Sequence, residues 1–171
     1  MQRVNYQTIA DTVMTQIRNN GAFLIAQVRD RINTMTIGWA SIGFVWGRPV
    51  FMVTVRNSRH TFGIMEQATD FTVSIPMKDM AKELELCGTK SGRSIDKFKT
   101  CNLELFPAVK IHTPIIKLFG YHYECKIVYR SAIDPAHLID DYQHLYPNKD
   151  FHTLYYGEIV ECYSTMDEIN D

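Results

Sequence analysis

Stretches rich in β-branched and aromatic residues recur along this chain, with only short helical patterns between them. We count about six or seven predicted strands and four predicted helices, and the two kinds of element do not alternate regularly. Regular alternation is typical of a doubly wound parallel sheet, which is therefore disfavoured. A mainly β (α+β) fold fits better, with antiparallel strands and peripheral helices, and closure into a barrel removes exposed strand edges. No linker or repeat interrupts the chain, so we expect a single domain over residues 1–171.

The apolar periodicity and the turn residues place these elements along the chain. The predicted strands cover 22–28, 33–45, 50–56, 70–76, 103–112, 115–130 and 152–164. The predicted helices cover 6–19, 62–68 and 77–86, and a fourth is capped by Asp134, opens at Pro135 and carries Leu138, Tyr142 and Leu145 on one face. Asn5 and Gly21 suit the two ends of the first helix, and residues 87–99 are expected to form a polar loop.

The balance of charge excludes partners that need a strong overall field. Lysine and arginine together number 18 against 19 aspartates and glutamates, which gives a net charge of −1. We therefore expect no nucleic-acid partner and no membrane partner, and any anion site must be a local cluster. The first residues lack the pattern of a signal peptide, and the longest uncharged run, 32–47, is too short to span a membrane, so we expect a cytoplasmic location.

Four cysteines occur at positions 87, 101, 125 and 162, and they form no CxxC pair. This spacing lacks the usual zinc signature, so no metal site is expected. Cys125 and Cys162 lie in strand-like runs and are expected to be buried thiols rather than partners in a disulfide.

The segment VTVRNSRHT at 53–61 is the strongest candidate for a binding site. Its β-branched strand runs directly into Arg56, Ser58, Arg59, His60 and Thr61. If Ser58 caps the predicted helix 62–68, these side chains surround a helix N-terminus, where free amides and the helix dipole favour an anion such as phosphate. The alternative is an ordinary capped helix with surface arginines.

Two other stretches are candidates to complete such a site. In the predicted strand 33–45, Thr34, Thr36, Gly38 and Ala40 share one face, and their small side chains permit the close approach of something flat. The loop CGTKSGRSIDKF at 87–98 combines glycines, hydroxyls and three cations. It lacks the GxxxxGK[ST] spacing of a P-loop, so ATP hydrolysis is not expected, and the alternative is a mobile surface loop.

Five motifs follow one another along the chain: NTMTIGW at 33–39, RP at 48–49, VRNSRHT at 55–61, CGTKSGRSIDKF at 87–98 and HTLYYGEI at 152–159. In this order they resemble the flavin reductase-like domain family, and within it the flavoredoxin group. The resemblance covers roughly residues 20–162. The order and spacing of the motifs are more specific than any single motif.

The resemblance implies an FMN-binding split β-barrel that forms a homodimer. It implies that the FMN phosphate lies at the 56–61 cluster, that the isoalloxazine ring lies against 33–41, and that the 87–97 loop closes over the cofactor. The cofactor-binding residues implied in this way are Asn33, Thr34, Met35, Thr36, Trp39, Ala40, Ser41, Arg56, Ser58, Arg59, His60, Thr61, Cys87, Gly88, Ser91, Gly92 and Lys97.

Three residues have competing interpretations. By the resemblance, His152 lies near the reactive edge of the flavin, and otherwise it is a hydrogen-bonded histidine at the start of a strand. Trp39 packs on the cofactor or at the dimer interface, and otherwise in the core. Cys87 is a reactive thiol at the start of its loop, and otherwise an inert one.

The resemblance leads to two flavin hypotheses, and a third remains beside them. In the first, NAD(P)H reduces bound FMN, which passes electrons to a free flavin or another small-molecule acceptor. In the second, a tightly bound FMN exchanges electrons with a redox protein, without direct NAD(P)H oxidation. In the third, a non-catalytic barrel binds a different ligand. The stretch 134–150 looks like an insertion particular to this chain and is expected to cover or restrict the nicotinamide side.

Overall fold

Strands dominate the protein, whose computed structural model describes residues 1–167. The strands are β1 (Gln2–Arg3), β2 (Ala22–Val28), β3 (Arg31–Ile37), β4 (Ala40–Val45), β5 (Arg48–Arg56), β6 (Asp70–Pro76), β7 (Leu105–Phe106), β8 (Ile115–Ile116), β9 (Gly120–Ala132) and β10 (His152–Ser164). The α-helices are α1 (Tyr6–Asn20), α2 (Phe62–Met65), α3 (Ala81–Thr89), α4 (Lys97–Thr100) and α5 (Asp140–Gln143), and Pro135–His137 forms a 3₁₀ helix. Within this range every helix is too short or too polar to cross a membrane.

One antiparallel sheet carries the fold. Its strands lie in the order β3-β2-β6-β9-β10-β5-β4, β1 pairs with the far end of β10, and β7 and β8 form a small separate pair. All seven pairings of the main sheet are antiparallel. The expected mainly β fold with antiparallel strands and peripheral helices is confirmed.

The two ends of this sheet, β3 and β4, are consecutive in the chain and are joined by Gly38 and Trp39 alone. A sheet tethered in this way must curl until its two edges lie side by side, as in a barrel. Within residues 1–167 no ladder of hydrogen bonds closes the barrel, because β3 pairs only with β2 and β4 pairs only with β5. We call the open gap between β3 and the paired strands β4 and β5 the seam. The prediction of one strand over 33–45 is wrong, because the chain changes its pairing partner at the seam.

The core lies inside the curled sheet and under α1. Side chains from β2, β5 and β6, among them Leu24, Val55 and Phe71, are fully buried there. Each such side chain contributes ~1.5–3 kcal/mol relative to leaving it in water. Helix α1 packs against this core through Val13 and Ile17, which are both buried.

The predicted ends of α1 are confirmed. The side chain of Asn5 accepts a hydrogen bond from the backbone N–H of Gln7, 3.0 Å away. At the other end, the backbone N–H of Gly21 donates to Gln16 and Ile17, and its φ of 91° favours glycine. The chain therefore turns directly from α1 into β2.

Two predicted strands are shorter than expected. The strand predicted at 103–112 is reduced to β7, and the one predicted at 115–130 is divided into β8 and β9. Pro107 has no N–H to donate to a ladder. The backbone N–H groups of the next loop donate instead to the fully buried carboxylate of Glu124, at 2.6 and 2.7 Å. That carboxylate replaces a neighbouring strand as the partner of this loop.

The predicted helices also differ in their bounds. The helix expected at 77–86 begins only at Ala81, where the side chain of Asp79 accepts the Ala81 N–H, and it continues to Thr89. The polar loop is correspondingly shorter than 87–99. Asp134 caps its helix as predicted, but the segment divides into the 3₁₀ helix and α5 instead of forming one helix.

The buried His122 makes the stability of the fold depend on pH. Its two nitrogens lie 3.0 Å from the hydroxyl of Ser74 and 2.9 Å from that of Thr165. Burial lowers the pKa of His122 to about 3, from 6.5. Between these two values the unfolded chain binds a proton that the folded protein excludes. Stability is therefore fully present above pH 6.5 and is lost as the pH falls toward 3.

We expect the protonation of His122 alone to lower the free energy of unfolding by about 2 kcal/mol between pH 7 and pH 5. The measurement is urea unfolding at both pH values for the wild type and for His122→Gln, which removes the titrating group. From pH 7 to pH 5, the free energy of unfolding should fall by about 2 kcal/mol less in His122→Gln than in the wild type. The same substitution at the exposed His112 is the control. An equal pH dependence in all three proteins would contradict the assignment.

Candidate functional site

A polar groove lies along the seam. It consists of a first cavity of about 290 Å³ and a second of about 170 Å³. Met35, Arg56 and Arg59 line both cavities, so the two form one continuous groove. The second cavity occupies the seam itself, between the end of β3 and the end of β5, with β10 alongside.

Positive charge is concentrated in the first cavity. Arg59 Nη1 donates to the carbonyl of Gly88 at 2.7 Å, and Arg93 Nη1 donates to that of Ser58 at 3.3 Å. These single contacts orient the guanidinium groups, and each group retains further N–H donors. Lys97 also lines this cavity. The cavity therefore favours an anion with several oxygen acceptors, such as phosphate.

Lys97 ties three elements together beneath the first cavity. Only 4% of this residue is exposed, and its Nζ donates to the carbonyls of Thr34 at 2.9 Å and Cys87 at 2.7 Å. Burial lowers its pKa, and the nearby Arg59 acts in the same direction. The ammonium thus connects β3, the last turn of α3 and the start of α4.

The loop after α3 closes tightly over the floor of the cavity. A Cβ at Gly92 would lie 2.8 Å from Asn33 Cγ and from His60 Cδ2, which leaves no space for a side chain. Asn33 Nδ2 donates to the hydroxyl of Thr61 at 2.8 Å, and both residues are buried. Burial, together with nearby cations led by Arg93, lowers the pKa of His60. His60 is therefore a neutral neighbour of the guanidinium groups.

The predicted cap at Ser58 is wrong. Helix α2 starts after Thr61 without a side-chain cap, and it has only four residues instead of covering 62–68. The hydroxyl of Ser58 donates to Asp150 Oδ2 at 2.6 Å, and its backbone N–H donates to Oδ1 at 3.1 Å. The helix terminus therefore does not account for an anion site here. The cluster of cations accounts for it instead.

Arg56 faces the segment 134–150. Its Nη1 donates to the carbonyl of Asp150 at 2.9 Å and its Nη2 to that of Leu145 at 3.2 Å. The guanidinium also lies over the ring of Tyr146, 5.1 Å from the centroid. Arg56 thus anchors this segment at one end of the groove, and part of its hydrogen-bonding capacity is already used.

The second cavity is bordered by His152 and Trp39. His152 opens β10 opposite Arg56, and its Nδ1 lies 2.9 Å from the hydroxyl oxygen of Tyr146. The rings of His152 and Trp39 lie 4.8 Å apart. Burial, with Arg56 and Arg59 acting in the same direction, lowers the pKa of His152 to about 4. Trp39 is 43% exposed, which argues against the interpretation that it belongs to the core.

The structure brings most of the predicted residues together along the groove. The first cavity is lined by Asn33, Met35, Arg56, Ser58, Arg59, His60, Thr61, Ser91, Gly92 and Lys97. The second is lined by Thr36, Trp39 and His152, besides the residues that it shares with the first. Most of the predicted site residues thus lie on one continuous surface, although they come from four separate motifs.

Five predicted residues do not lie on this surface. The hydroxyl of Thr34 donates to the carbonyl of Leu24 at 3.1 Å, and the residue is fully buried. Ala40 lies beyond the seam in a different cavity, beside α1, and Ser41 is exposed on β4. Gly88 contributes only its carbonyl to Arg59. Cys87 is buried, and burial raises the pKa of its thiol to about 12, which favours the inert interpretation.

Sequence reasoning missed several residues of the groove or its wall, among them Arg93, Asp150, Thr54 and Tyr146. Arg93 stands within the glycine- and lysine-containing motif, where its charge is visible in the sequence. Asp150 precedes His152 by two positions, and no pattern connects it with Ser58. Thr54 and Tyr146 carry no sequence signal for a site. Among residues 1–167, no three His, Cys, Asp or Glu side chains are grouped so as to hold a metal.

The chain is similar to several known proteins. It is 26% identical to an uncharacterized protein of Archaeoglobus fulgidus, over 81% of this chain and 68% of that protein. The solved structure of a flavoredoxin from Methanosarcina acetivorans is 26% identical, with a TM-score of 0.65, over 85% of this chain and 68% of that one. An FMN-binding protein from Thermus thermophilus is 22% identical, with a TM-score of 0.64, over 88% and 72% of the two chains.

The family assignment rests on most of the chain. Residues 14–170 match the family described as the flavin reductase like domain. This range contains every strand of the main sheet except β1, and all the residues that line the groove. The resemblance drawn from the motifs is therefore confirmed. The chain belongs to the flavin reductase like domain family.

Proposed function

We propose that this protein binds FMN in the seam groove and acts as a flavin reductase-like oxidoreductase. The observation that carries the proposal is the continuity of the two cavities, with cations at one end and a gap between strands at the other. FMN has the matching form, with a phosphate at one end and a flat ring system at the other. The similarity to a flavoredoxin and to an FMN-binding protein supports this choice.

The donor set of the groove fits this cofactor. Arg59, Arg93 and Lys97 would hold the phosphate through charge-assisted hydrogen bonds, which are about twice as strong as neutral ones. Thr36, Trp39 and His152 would surround the ring system. The two volumes together fall within the usual range of about 300–1,000 Å³ for small-molecule sites.

FMN, when bound, supplies the electron-transfer chemistry, and the protein provides binding and orientation. Arg56 and Ser58 both bind the segment 134–150 and so anchor it at one end of the groove. The neutral His152 places a hydrogen-bonding nitrogen beside the ring site. We propose NAD(P)H as the electron donor and a flavin or another small molecule as the acceptor.

A second function is favoured by one observation. The cavity at the seam is only about 170 Å³ and is bordered by His152, which the 134–150 segment holds. A segment anchored in this place would restrict the approach of a nicotinamide to a flavin ring. This favours a flavoredoxin-type protein that exchanges electrons with a redox protein and does not oxidise NAD(P)H directly.

Binding and titration test the two proposals in turn. The purified protein is mixed with FMN and its absorbance and fluorescence are followed; a protein that remains colourless and does not quench FMN fluorescence would contradict both flavin functions. The FMN-loaded protein is then titrated with NADH and NADPH without oxygen. Bleaching of the flavin absorbance supports the reductase, and a flavin that stays oxidised supports the electron carrier.

We also propose a homodimer and a cytoplasmic location. An exposed aromatic surface supports the dimer: Trp46 is 61% exposed and lies 5.8 Å from Tyr129 and 6.0 Å from Tyr156, centroid to centroid. The four free cysteines support a reducing compartment. Sedimentation velocity measures the oligomeric state. A monomer would contradict the proposed homodimer.

A further inference from the structure

The imidazole of His152 has two nitrogens with different surroundings. The residue is only 8% exposed. Its Nδ1 lies 2.9 Å from the hydroxyl oxygen of Tyr146, and in the described part of the chain Nε2 has no hydrogen-bond partner. The ring lines the second cavity. A polar atom that lines a cavity and has no protein partner is available to contact a ligand there.

The hydroxyl of Tyr146 determines which nitrogen carries the proton. Tyr146 is 6% exposed, and within residues 1–167 His152 Nδ1 is the only hydrogen-bond partner of its hydroxyl. If Nδ1 were the donor, the buried hydroxyl hydrogen would lack an acceptor, which is unfavourable. The hydroxyl therefore donates to Nδ1. A neutral imidazole then carries its own proton on Nε2.

Contacts on both sides hold the ring of Tyr146 in place. The Arg56 guanidinium lies 5.1 Å from its centroid, and the ring of Phe151 lies 4.8 Å away. The same guanidinium donates to the carbonyls of Leu145 and Asp150, which flank Tyr146 in the chain. The position of the hydroxyl is thus determined by the packing of the whole segment and not by its bond to His152 alone.

The charges around His152 keep the imidazole neutral. Burial and the cations Arg56 and Arg59 lower its pKa to about 4, while Asp150 acts in the opposite direction. Near neutral pH the ring therefore has one N–H donor and one acceptor nitrogen. The acceptor nitrogen is the one occupied by Tyr146.

We propose that Tyr146 is a positioning residue that holds His152 as the Nε2–H tautomer, so that the second cavity presents a neutral hydrogen-bond donor to an oxygen or nitrogen of the ligand's ring. The proposal rests on the proposed function, which supplies a heteroaromatic ligand with acceptors along its edge. The donor contacts the ring and not the phosphate. It therefore contributes equally to the binding of FMN and of riboflavin, which lacks the phosphate.

The first experiment uses the protein without flavin, so it does not depend on the proposed function. The full chain is labelled with ¹⁵N-histidine, and long-range ¹H–¹⁵N correlations report which nitrogen of His152 is protonated, with His152→Gln used for assignment. We expect Nε2–H in the wild type and in Tyr142→Phe, which alters an exposed tyrosine of the same segment. Tyr146→Phe should give a mixture of tautomers. A wild-type Nδ1–H signal, or an unchanged spectrum in Tyr146→Phe, would overturn the proposal.

The second experiment measures the affinities for FMN and riboflavin by fluorescence quenching. Tyr146→Phe and His152→Leu should each lower the affinities for FMN and riboflavin by the same factor, about fivefold to tenfold. His152→Gln keeps an N–H donor, so its affinities should fall less than those of His152→Leu. Loss for FMN only would overturn the proposed contact with the ring. A wild type that binds neither flavin would contradict the proposed function and the ring contact, while the tautomer is decided by the first experiment.

Discussion

Replacing Arg59 with alanine should lower the affinity for FMN between about tenfold and hundredfold and leave that for riboflavin within about twofold. Hydrogen bonds to a charged group contribute about 1.5–3 kcal/mol, which corresponds to this range. Within residues 1–167 the Arg59 guanidinium makes one hydrogen bond, to the carbonyl of Gly88, which leaves further donors for a phosphate in the first cavity. The measurement is the quenching of flavin fluorescence in titrations with each ligand.

The matched control is Arg48→Ala. Arg48 begins the strand that Arg56 ends, so the variant removes the same charge far from the groove, where its partner is Glu158 at 3.8 Å. Its affinity for FMN should equal that of the wild type. If Arg59→Ala weakened FMN and riboflavin equally, the first cavity would not be the phosphate site.

Arg56→Ala provides an informative contrast, because the sequence predicts both arginines at the phosphate. In the structure, Arg56 anchors the 134–150 segment through two carbonyls. Its loss should loosen Tyr146 and His152 as well as remove a charge. The affinities for FMN and riboflavin should therefore both fall, unlike in the Arg59 variant.

Replacing Gly157 with alanine should lower the free energy of unfolding by about 3 kcal/mol. Gly157 lies in β10 where the register with β9 shifts, and an added Cβ would lie 2.6 Å from Cys125 Cβ and from Phe71 Cζ. Both neighbours are fully buried, so neither has free space into which it can move. At this chain length the melting temperature should fall by roughly 6–12 °C.

Gly43→Ala is the control for this effect. Gly43 also lies in a strand, β4, but no atom stands within 4 Å of the position that an added Cβ would take, so the methyl group projects into open space. Its free energy of unfolding should stay within about 0.5 kcal/mol of the wild type. Thermal unfolding followed by circular dichroism measures both variants. Equal melting temperatures would show that the core at Gly157 can expand.

The strands with local signals were predictable from the sequence. The strands at 22–28, 70–76 and 152–164 match their predicted bounds, because alternation and turn residues mark both ends. The break at Gly38 was not predictable in this way. It arises because β3 and β4 pair with different strands, and such pairing depends on the closure of the whole sheet.

The candidate site was predictable to the extent that its residues lie in contiguous motifs. The cations of 56–61 and 87–98 carry their charge in the sequence, and the structure brings them to one cavity. The roles of Ser58 and Arg56 were not predictable, because both bind the 134–150 segment, about 90 residues away. Contacts at such separation depend on tertiary packing and leave no local pattern.

The seam allows the distance between β3 and β5 to vary. Within residues 1–167 no ladder hydrogen bond joins β3 to β5, so the distance between them can change without breaking the sheet. Thicker or thinner ring systems, or different side chains at Thr36 and Thr54, can then be accommodated at a cost limited to contacts across the gap. Over evolutionary time such a barrel can exchange one flat ligand for another while its core, built from the paired strands, stays unchanged.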